Sequence, residues 1–369
     1  MWTFELPTKI RFGNGVSQML RELPEISSRR IVVVTDSSVV KLEAVQTLIK
    51  SLAPVTVFDE VRPNPTVANV DTLTAVLRKA DAEVVVAIGG GSSLDTAKAS
   101  SCLAKTDEQS IRPYHSEGKT FDGRHLPVIT LPTTAGTGSE VTPIAVLDDE
   151  EKNFKSPMSS PLFYPATAVV DPKLTLSAPL FVTAATALDA LSHAIEGYWS
   201  KNHQPICDTL AKEAARIIFA NLGKVYDNLT DIAARERLAY AALLAGIAFQ
   251  LPKNAVIHAC SFPLSNRFHL AHGAACAFTM EAAIRFNTPA MNGRMEEFAF
   301  AAGFDSVETM LETITALKRR GKLPLTFHEA GIDPSAVDQL VRESVHPLLN
   351  NNPRTVTSDD LRKIYEGLV

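Results

Sequence analysis

The stretch EVVVAIGGGSSLDTAK, residues 83–98, decides the fold that this sequence predicts. A short, mostly β-branched apolar run ends in three glycines, and a helical pattern follows from about Ser93. We predict a buried strand over residues 83–91 with a helix directly after it. Glycines let backbone N–H groups approach an anion, and the helix N-terminus adds its positive dipole end. The stretch lacks the GxGxxG spacing, but three glycines favour a pyrophosphate site over a plain tight turn.

Strand and helix patterns alternate on both sides of this stretch. The predicted strands are RRIVVVTD, VTVFDEV and LPVITLPT, at residues 29–36, 55–61 and 126–133. The predicted helices are VVKLEAVQTLIKSL and VANVDTLTAVLRKA, at residues 39–52 and 67–80. Apolar strands separated by helices indicate a parallel sheet that helices cover on both faces.

After about residue 176 alanine-rich helical patterns dominate, and Pro172 and Pro179 interrupt regular structure just at this change. The helical patterns cover residues 181–200, 208–222, 233–249 and 282–303. We therefore predict an α/β, Rossmann-like domain over residues 1–176 and an all-α domain over residues 177–369. A cleft between two such domains is where a small ligand is expected to bind.

Composition excludes several classes of protein. The chain has 369 residues and a net charge of −5, which gives no electrostatic footprint for nucleic acid or a membrane surface. The N-terminal MWTFELPTKIRFG is not a secretory signal, and the longest apolar run, residues 238–249, is too short to span a membrane. The four cysteines show no CxxC spacing, which is typical of reduced thiols. A cytoplasmic globular protein with a small-molecule ligand is the expectation.

Two further features favour a nucleotide site. The loop TTAGTGSEVT, residues 133–142, follows a strand and offers hydroxyls suited to ribose and phosphate. These hydroxyls belong to Thr133, Thr134, Thr137 and Ser139. Asp36 ends the first core strand, where a carboxylate binds a ribose 2′-OH and repels a 2′-phosphate. A cap for the following helix explains Asp36 equally well. If the nucleotide interpretation holds, NAD(H) is preferred over NADP(H).

A metal site is indicated by histidines in the second half. Asp189 and His193 are four residues apart on a predicted helix, so both side chains reach one ion. A surface pair, or a contact that stabilises the helix, is the alternative. The segment AVIHACSFPLSNRFHLAHGAACAF, residues 255–278, adds His258 and His272. Three imidazoles and one carboxylate suit Fe(II), Zn(II) or a neighbouring divalent ion.

We assign structural roles, and not metal binding, to three residues that lie near these histidines in sequence. Gly273 directly follows the last histidine and permits a tight turn beside an ion. Cys260 and Cys276 lie close to the candidate ligands in sequence, and we interpret them as core or wall residues. Cysteine ligands would predict softer, zinc-type coordination.

Four motifs, in their order along essentially the whole chain, resemble those of the iron-containing (group III) alcohol dehydrogenase family. They are GGGSSLDTAK, TTAGTGSEVT, DALSHAIEGY and H-x13-HG. The resemblance implies a dehydroquinate synthase-like architecture, in which a Rossmann-like domain precedes an all-α metal-binding domain. It also implies NAD(P)-dependent interconversion of alcohols with aldehydes or ketones, a homodimer, and Fe(II), or else Zn(II), as the metal. The implied metal ligands are Asp189, His193, His258 and His272. The implied cofactor contacts are Asp36, Gly89, Gly90, Gly91, Ser92, Asp95, Thr133, Thr134, Thr137 and Lys155.

Phe262 departs from the family pattern. Many members carry a further histidine at this position, four residues after the third ligand, and it is credited with relaying the alcohol proton. The pattern HACSFPL is similar to the branch of hydroxyethylphosphonate dehydrogenases, also called phosphonoacetaldehyde reductases. This similarity implies reduction of phosphonoacetaldehyde to 2-hydroxyethylphosphonate.

Other reactions stay open at this point. Sulfoacetaldehyde, maleylacetate and short-chain aldehydes are alternative substrates within the same class. A dehydroquinate-synthase-like lyase normally places glutamate where Asp189 stands, so Asp189 favours the dehydrogenase. A protein that binds metal and nucleotide without turnover is a third alternative, against which the four-ligand set argues.

An anionic substrate requires cationic groups near the metal. Lys253 lies five residues before His258, and Arg267 lies five residues before His272. Arg267 offers bidentate recognition of a phosphonate or sulfonate, although a solvated charge is the alternative for both residues. With Phe262 in place of the relay histidine, proton transfer is expected through cofactor ribose hydroxyls, water or His269. A surface histidine, or one that only supports the site, is the alternative for His269.

Overall fold

The computed structural model describes residues 2–152 and 154–369. Its strands, in chain order, are β1 (Lys9–Phe12), β2 (Ile31–Val34), β3 (Thr56–Phe58), β4 (Val84–Gly89), β5 (Val128–Pro132), β6 (Ile144–Asp149), β7 (Phe154–Ser159) and β8 (Thr167–Val170). Among the described residues six strands form one sheet in the order β1-β8-β5-β4-β2-β3. All neighbouring pairs in this sheet are parallel, whereas β6 and β7 form a separate antiparallel hairpin.

The helices of the first half are α1 (Glu43–Leu52), α2 (Val67–Lys79), α3 (Gly91–Leu103) and α4 (Arg112–Ser116). Those of the second half are α5 (Leu180–Trp199), α6 (Pro205–Asp227), α7 (Ile232–Phe249), α8 (Val256–Phe268), α9 (His272–Asn287), α10 (Arg294–Ala301), α11 (Val307–Arg320), α12 (Val337–Glu343) and α13 (Ser358–Glu366). Among the described residues, no helix combines the length and the apolar character needed to cross a bilayer.

The chain divides into two compact units. Glu5–Thr134 and Ser139–Ser177 form the sheet unit, whereas residues 2–4, Ala135–Gly138 and Ala178–Val369 form the helical unit. In the sheet unit β2, β4 and β5 are buried over their whole length, because both faces of each strand are apolar except at Thr130 in β5. In the helical unit the alanines of α5 allow neighbouring helices to approach closely, and the helix is buried from Ala187 to Trp199.

The predicted fold class is confirmed: a parallel sheet with helices is followed by a helical half. Several predicted element boundaries differ from the structure, and two of these differences have a clear physical reason. The strand predicted over residues 83–91 ends at Gly89, and the helix begins at Gly91 because Gly90 already caps it. The helical pattern over residues 282–303 is two helices, since Pro289 and the left-handed Gly293 interrupt it.

Candidate active site

Helix α5 places the first two predicted ligands inside the helical unit. Asp189 and His193 lie one turn apart on this helix and are only 1% and 4% exposed. The alternative of a surface pair is therefore wrong. Helices α8 and α9 pack against each other, and α9 also packs against α5. These contacts bring His258 and His272 to the same point as the α5 pair.

The four side chains converge through their donor atoms. Oδ1 of Asp189 lies 3.7 Å from Nε2 of His272, 3.9 Å from Nε2 of His258 and 4.0 Å from Nε2 of His193. The Nε2 atoms of His193 and His258 are 3.0 Å apart. We call Asp189, His193, His258 and His272 the donor cluster.

The donor cluster fits a divalent cation. Oδ1 of Asp189 is buried and accepts no hydrogen bond from the described residues. Burial raises the pKa of the Asp189 carboxyl to about 6. Burial, with the neighbouring His258, lowers the pKa of His193 well below its ordinary value. Imidazole lone pairs and a carboxylate oxygen that converge on one point are satisfied by a shared positive ion.

Glu196 fixes the orientation of His258 and was missed in the sequence. This carboxylate is fully buried, and one of its oxygens accepts the backbone N–H of Ile257 at 2.7 Å. The other oxygen lies 2.6 Å from Nδ1 of His258. The carboxylate holds the proton on Nδ1, so the lone pair of Nε2 faces the donor cluster. Asp189, His193 and Glu196 follow one another at intervals of four and three residues, which places them on one face of the helix. This spacing could have indicated Glu196.

Replacing Glu196 by glutamine is expected to weaken Zn(II) binding by about 10- to 100-fold. The glutamine oxygen can keep the bond to Ile257, but its NH2 group then donates to Nδ1 of His258. The imidazole proton moves to Nε2 and blocks the lone pair that faces the donor cluster. Competition with a chromophoric chelator measures this affinity. Glu213→Gln, which changes an exposed carboxylate on α6, is the control and should leave the affinity unchanged.

The tight turn predicted at Gly273 was wrong, and glycine is required at this position for helix packing instead. It lies in the first turn of α9, where an added Cβ would be 2.1 Å from the carbonyl oxygen of Ala185. The same Cβ would lie 3.0 Å from Cβ of Asp189. Glycine at this position therefore lets α9 approach α5, and that approach brings His272 to Asp189.

Cys276 lies at the donor cluster, which agrees with the prediction of a wall residue rather than a plain core residue. Its thiol is fully buried one turn after His272 on α9, with Sγ 3.8 Å from Nε2 of His272. The ligand atoms of Asp189, His258, His272 and Cys276 all lie within 4.8 Å of one another. Cys260 agrees with the core interpretation, because it is buried in the apolar core of the helical unit.

Phe262 packs against a histidine from a distant part of the chain. It lies one turn after His258 on α8, and its ring is 5.1 Å from that of His346, edge to face. Nδ1 of His346 accepts the N–H of Leu348 at 3.1 Å, which leaves the proton of the neutral ring on Nε2. Burial lowers the pKa of His346. The sequence gives no signal for this contact, since the two residues belong to separate segments.

The glycine-rich loop lies at the carboxyl end of β4, in the sheet unit. A Cβ on Gly89 would lie 2.5 Å from Oγ of Ser93, so only glycine fits there. The same Cβ would be 3.8 Å from Oδ2 of Asp36, which places that carboxylate beside the loop. Gly90 caps α3, and the amides of Gly91 and Ser92 begin the helix, where no intrahelical carbonyl pairs with them. This arrangement fits an anion such as a pyrophosphate.

One oxygen of Asp36 binds the start of the 3-10 turn Val39–Lys41, so the capping alternative holds for this turn and not for α1, which begins at Glu43. Its Oδ1 accepts the N–H groups of Ser38 and Val39, each at 2.9 Å. Within the described chain its Oδ2 accepts no hydrogen bond, and this oxygen faces Gly89. Capping by one oxygen and a ribose contact by the other are therefore compatible.

Asp95 is held by its own unit. Oδ1 accepts the hydroxyl of Ser139 and lies 3.2 Å from Nζ of Lys98, while Oδ2 accepts the N–H of Val146 at 2.9 Å. Lys98 is fully buried and also binds the Ser139 carbonyl at 3.0 Å. Both residues thus fix the segment after the TTAGTG loop, and a direct cofactor contact by Asp95 stays a prediction.

The predicted hydroxyl and lysine contacts are divided between the two units. Thr133 and Thr134 belong to the sheet unit, where the N–H of Thr133 donates to the Gly89 carbonyl at 2.9 Å. Thr137 belongs to the helical unit. Lys155 is buried on β7 in the sheet unit, with Nζ 3.1 Å from Oδ1 of Asn64.

The three predicted substrate-side residues are exposed. Arg267 forms an ion pair with Glu343, whose Oε1 lies 2.7 Å from Nε of the arginine. Lys253 lies in the left-handed turn between α7 and α8. His269 caps the C-terminus of α8 in the left-handed conformation. The ion pair with Glu343 competes with any anion clamp by Arg267, which stays a prediction.

Comparison with known proteins decides the family. The family profile described as iron-containing alcohol dehydrogenase matches residues 7–172. The profile described as Fe-containing alcohol dehydrogenase family, C-terminal, matches residues 183–369. The chain belongs to the iron-containing alcohol dehydrogenase family. Membership confirms the predicted class, an NAD(P)-dependent oxidoreductase that acts on alcohols.

Several members resemble this dehydrogenase over its whole length. Choline dehydrogenase of Bacillus subtilis (strain 168) is 34% identical over 379 residues, covering 99% of this chain and 94% of that protein. NAD-dependent methanol dehydrogenase of Bacillus methanolicus is 31% identical and covers 100% of both chains. The fold matches the crystal structure of sulfoacetaldehyde reductase from Bifidobacterium kashiwanohense in complex with NAD+, with a TM-score of 0.94 and 42% sequence identity. That alignment covers 100% of this dehydrogenase and 98% of the reductase chain.

Proposed function

We propose that this dehydrogenase reduces a two-carbon aldehyde carrying an anionic group, with sulfoacetaldehyde as the first candidate substrate. The observation that carries the proposal is the buried donor cluster, in a chain 42% identical over its full length to a sulfoacetaldehyde reductase. Phosphonoacetaldehyde, implied by the HACSFPL pattern, is the second candidate. In either case aldehyde, NADH and a proton give the alcohol and NAD+.

Asp189, His193, His258 and His272 would hold the divalent cation, Fe(II) or Zn(II). When bound, such a cation supplies Lewis-acid polarisation of a carbonyl oxygen. Glu196 keeps His258 in the tautomer that this role requires. Asp189, His193 and His258 are buried among apolar side chains of α5, α8 and α9, and this burial strengthens the charge interactions of the three residues.

The glycine-rich loop and Asp36 would hold the dinucleotide. Oδ2 of Asp36 faces Gly89, and its charge opposes a 2′-phosphate, so we propose NADH as the preferred reductant. The product alcohol needs a proton. Besides water, the ribose hydroxyls and His269, we include the imidazole of His346, which packs against Phe262, as a source of this proton.

A screen of NADH oxidation tests the substrate class. The protein is reconstituted separately with Fe(II) and Zn(II) and offered sulfoacetaldehyde, phosphonoacetaldehyde, maleylacetate and propanal, each with NADH and NADPH. We expect the highest kcat/KM for sulfoacetaldehyde with NADH. Faster reduction of propanal than of both anionic aldehydes would exclude the proposed substrate class. Turnover without net consumption of NADH would favour a lyase instead.

Replacing Arg267 by alanine tests the anion clamp. If the guanidinium exchanges Glu343 for the substrate anion, KM for sulfoacetaldehyde rises at least about tenfold, while KM for propanal stays unchanged. Steady-state kinetics with both aldehydes measure the difference. Arg216→Ala, which breaks a comparable exposed ion pair on α6, is the control. Equal effects of Arg267→Ala on both aldehydes would contradict the clamp.

A further inference from the structure

Cys276 faces the donor cluster from the same helix that carries His272. The two side chains are four residues apart on α9, so both project from one face. The thiol is fully buried, and its Sγ lies 3.8 Å from Nε2 of His272. Asp189 and His258 place ligand atoms within 4.8 Å of this sulfur as well.

These distances match donors that share one ion. With metal–sulfur and metal–nitrogen bonds of about 2.3 and 2.1 Å, two ligands lie about 3.6 Å apart at a tetrahedral angle. Ligands on opposite sides of the same ion lie about 4.4 Å apart. The 3.8 Å separation of Cys276 and His272 falls between these values. The widest separation in the group, at most 4.8 Å, requires side-chain shifts of a few tenths of an ångström.

A second observation independently points to a ligand at this place. Asp189 is 1% exposed, and its Oδ1 accepts no hydrogen bond from the described residues. It is directed at the point where the three imidazoles meet, 3.7 to 4.0 Å from each Nε2. The close contact of Gly273 with Ala185 fixes the first turn of α9, so Cys276 is held beside this carboxylate.

We propose that Cys276 is a further protein donor to the cation of the donor cluster, binding it as a thiolate. The proposal rests on the proposed metal site and adds a soft ligand to it. On binding, the thiol releases its proton to solvent, and one sulfur–metal bond forms. A thiolate shifts the preference of the site toward Zn(II) and Co(II), relative to harder cations such as Mn(II).

Cobalt substitution of the full-length protein tests the sulfur ligand without substrate. Metal-free protein is titrated with Co(II) in the absence of oxygen, and the near-ultraviolet thiolate-to-cobalt charge-transfer band is recorded with the bound cobalt content. We expect the band in the wild type and its loss in Cys276→Ser at equal cobalt content. Cys207→Ser, a buried cysteine on α6 outside the cluster, should retain the band. Equal spectra of wild type and Cys276→Ser would overturn the proposal.

X-ray absorption at the zinc edge provides a test that needs no variant. Zn(II)-loaded wild type should show one sulfur at about 2.3 Å besides nitrogen and oxygen neighbours at about 2.0 to 2.1 Å. A shell of nitrogen and oxygen alone would overturn the Cys276 proposal and leave the metal site intact. Failure of the wild type to bind either cation would overturn the metal site itself, and with it the proposed function.

Discussion

Replacing His258 by alanine is expected to lower kcat/KM by about a thousandfold, equivalent to ~4 kcal/mol of transition-state stabilisation. The variant loses the imidazole whose Nε2 lies 3.0 Å from that of His193. It also leaves the second oxygen of the buried Glu196 carboxylate without its partner, so the remaining donors are held less well. Metal content by elemental analysis should fall together with activity, while Fe(II) added in excess restores only part of the rate.

His328→Ala is the matched control for this prediction, because His328 is an exposed histidine of the same unit that lies outside the donor cluster. It should keep the full metal content and the full rate. A His258→Ala protein that stays folded and retains both metal and activity would contradict the assignment of the site.

The second large effect is expected for Gly273→Ala. The new Cβ would lie 2.1 Å from the Ala185 carbonyl oxygen and 2.7 Å from its carbon, and these backbone atoms cannot rotate away. Helix α9 must move from α5, which costs about 3 kcal/mol or more and displaces His272 from Asp189. Thermal unfolding and a Zn(II) titration should show a lower Tm and at least about tenfold weaker binding.

Gly367→Ala is the control for the packing argument. A Cβ at Gly367 would lie 3.5 Å from the nearest backbone oxygen, an ordinary contact, and its φ is −68°. Tm and metal affinity should therefore stay unchanged. If Gly273→Ala also leaves both quantities unchanged, close approach of α9 does not position His272.

The sequence predicts the buried part of the sheet well, because β2 and β4 are continuous apolar runs and β5 is apolar except for Thr130. It gives no such signal for β1 or β7. Strand β1 has the sequence KIRF and alternates exposed with half-buried residues at the edge of the sheet. Strand β7 contains Lys155 and Pro157 and forms only a hairpin with β6. Edge and hairpin strands bury less apolar area, so their pattern is weak.

The candidate site was predictable where its residues share one helix turn. The spacing of Asp189 and His193 alone indicates a common face, whereas His258 and His272 join them through helix packing that spacing does not reveal. Cys276 follows His272 at the same four-residue spacing, but buried cysteines are common in cores. Its place at the donor cluster depends on how closely α9 approaches α5.

The most direct test of the central claim, metal-dependent reduction of an aldehyde by NADH, compares one preparation in two states. Metal is removed by chelation, and one cation per chain is then restored as Fe(II) or Zn(II), with the best aldehyde from the substrate screen. We predict that metal removal lowers NADH consumption at least about a hundredfold. Restored protein should form one alcohol for each NADH consumed. An unchanged rate in metal-free protein, or turnover without net NADH consumption, would contradict the claim.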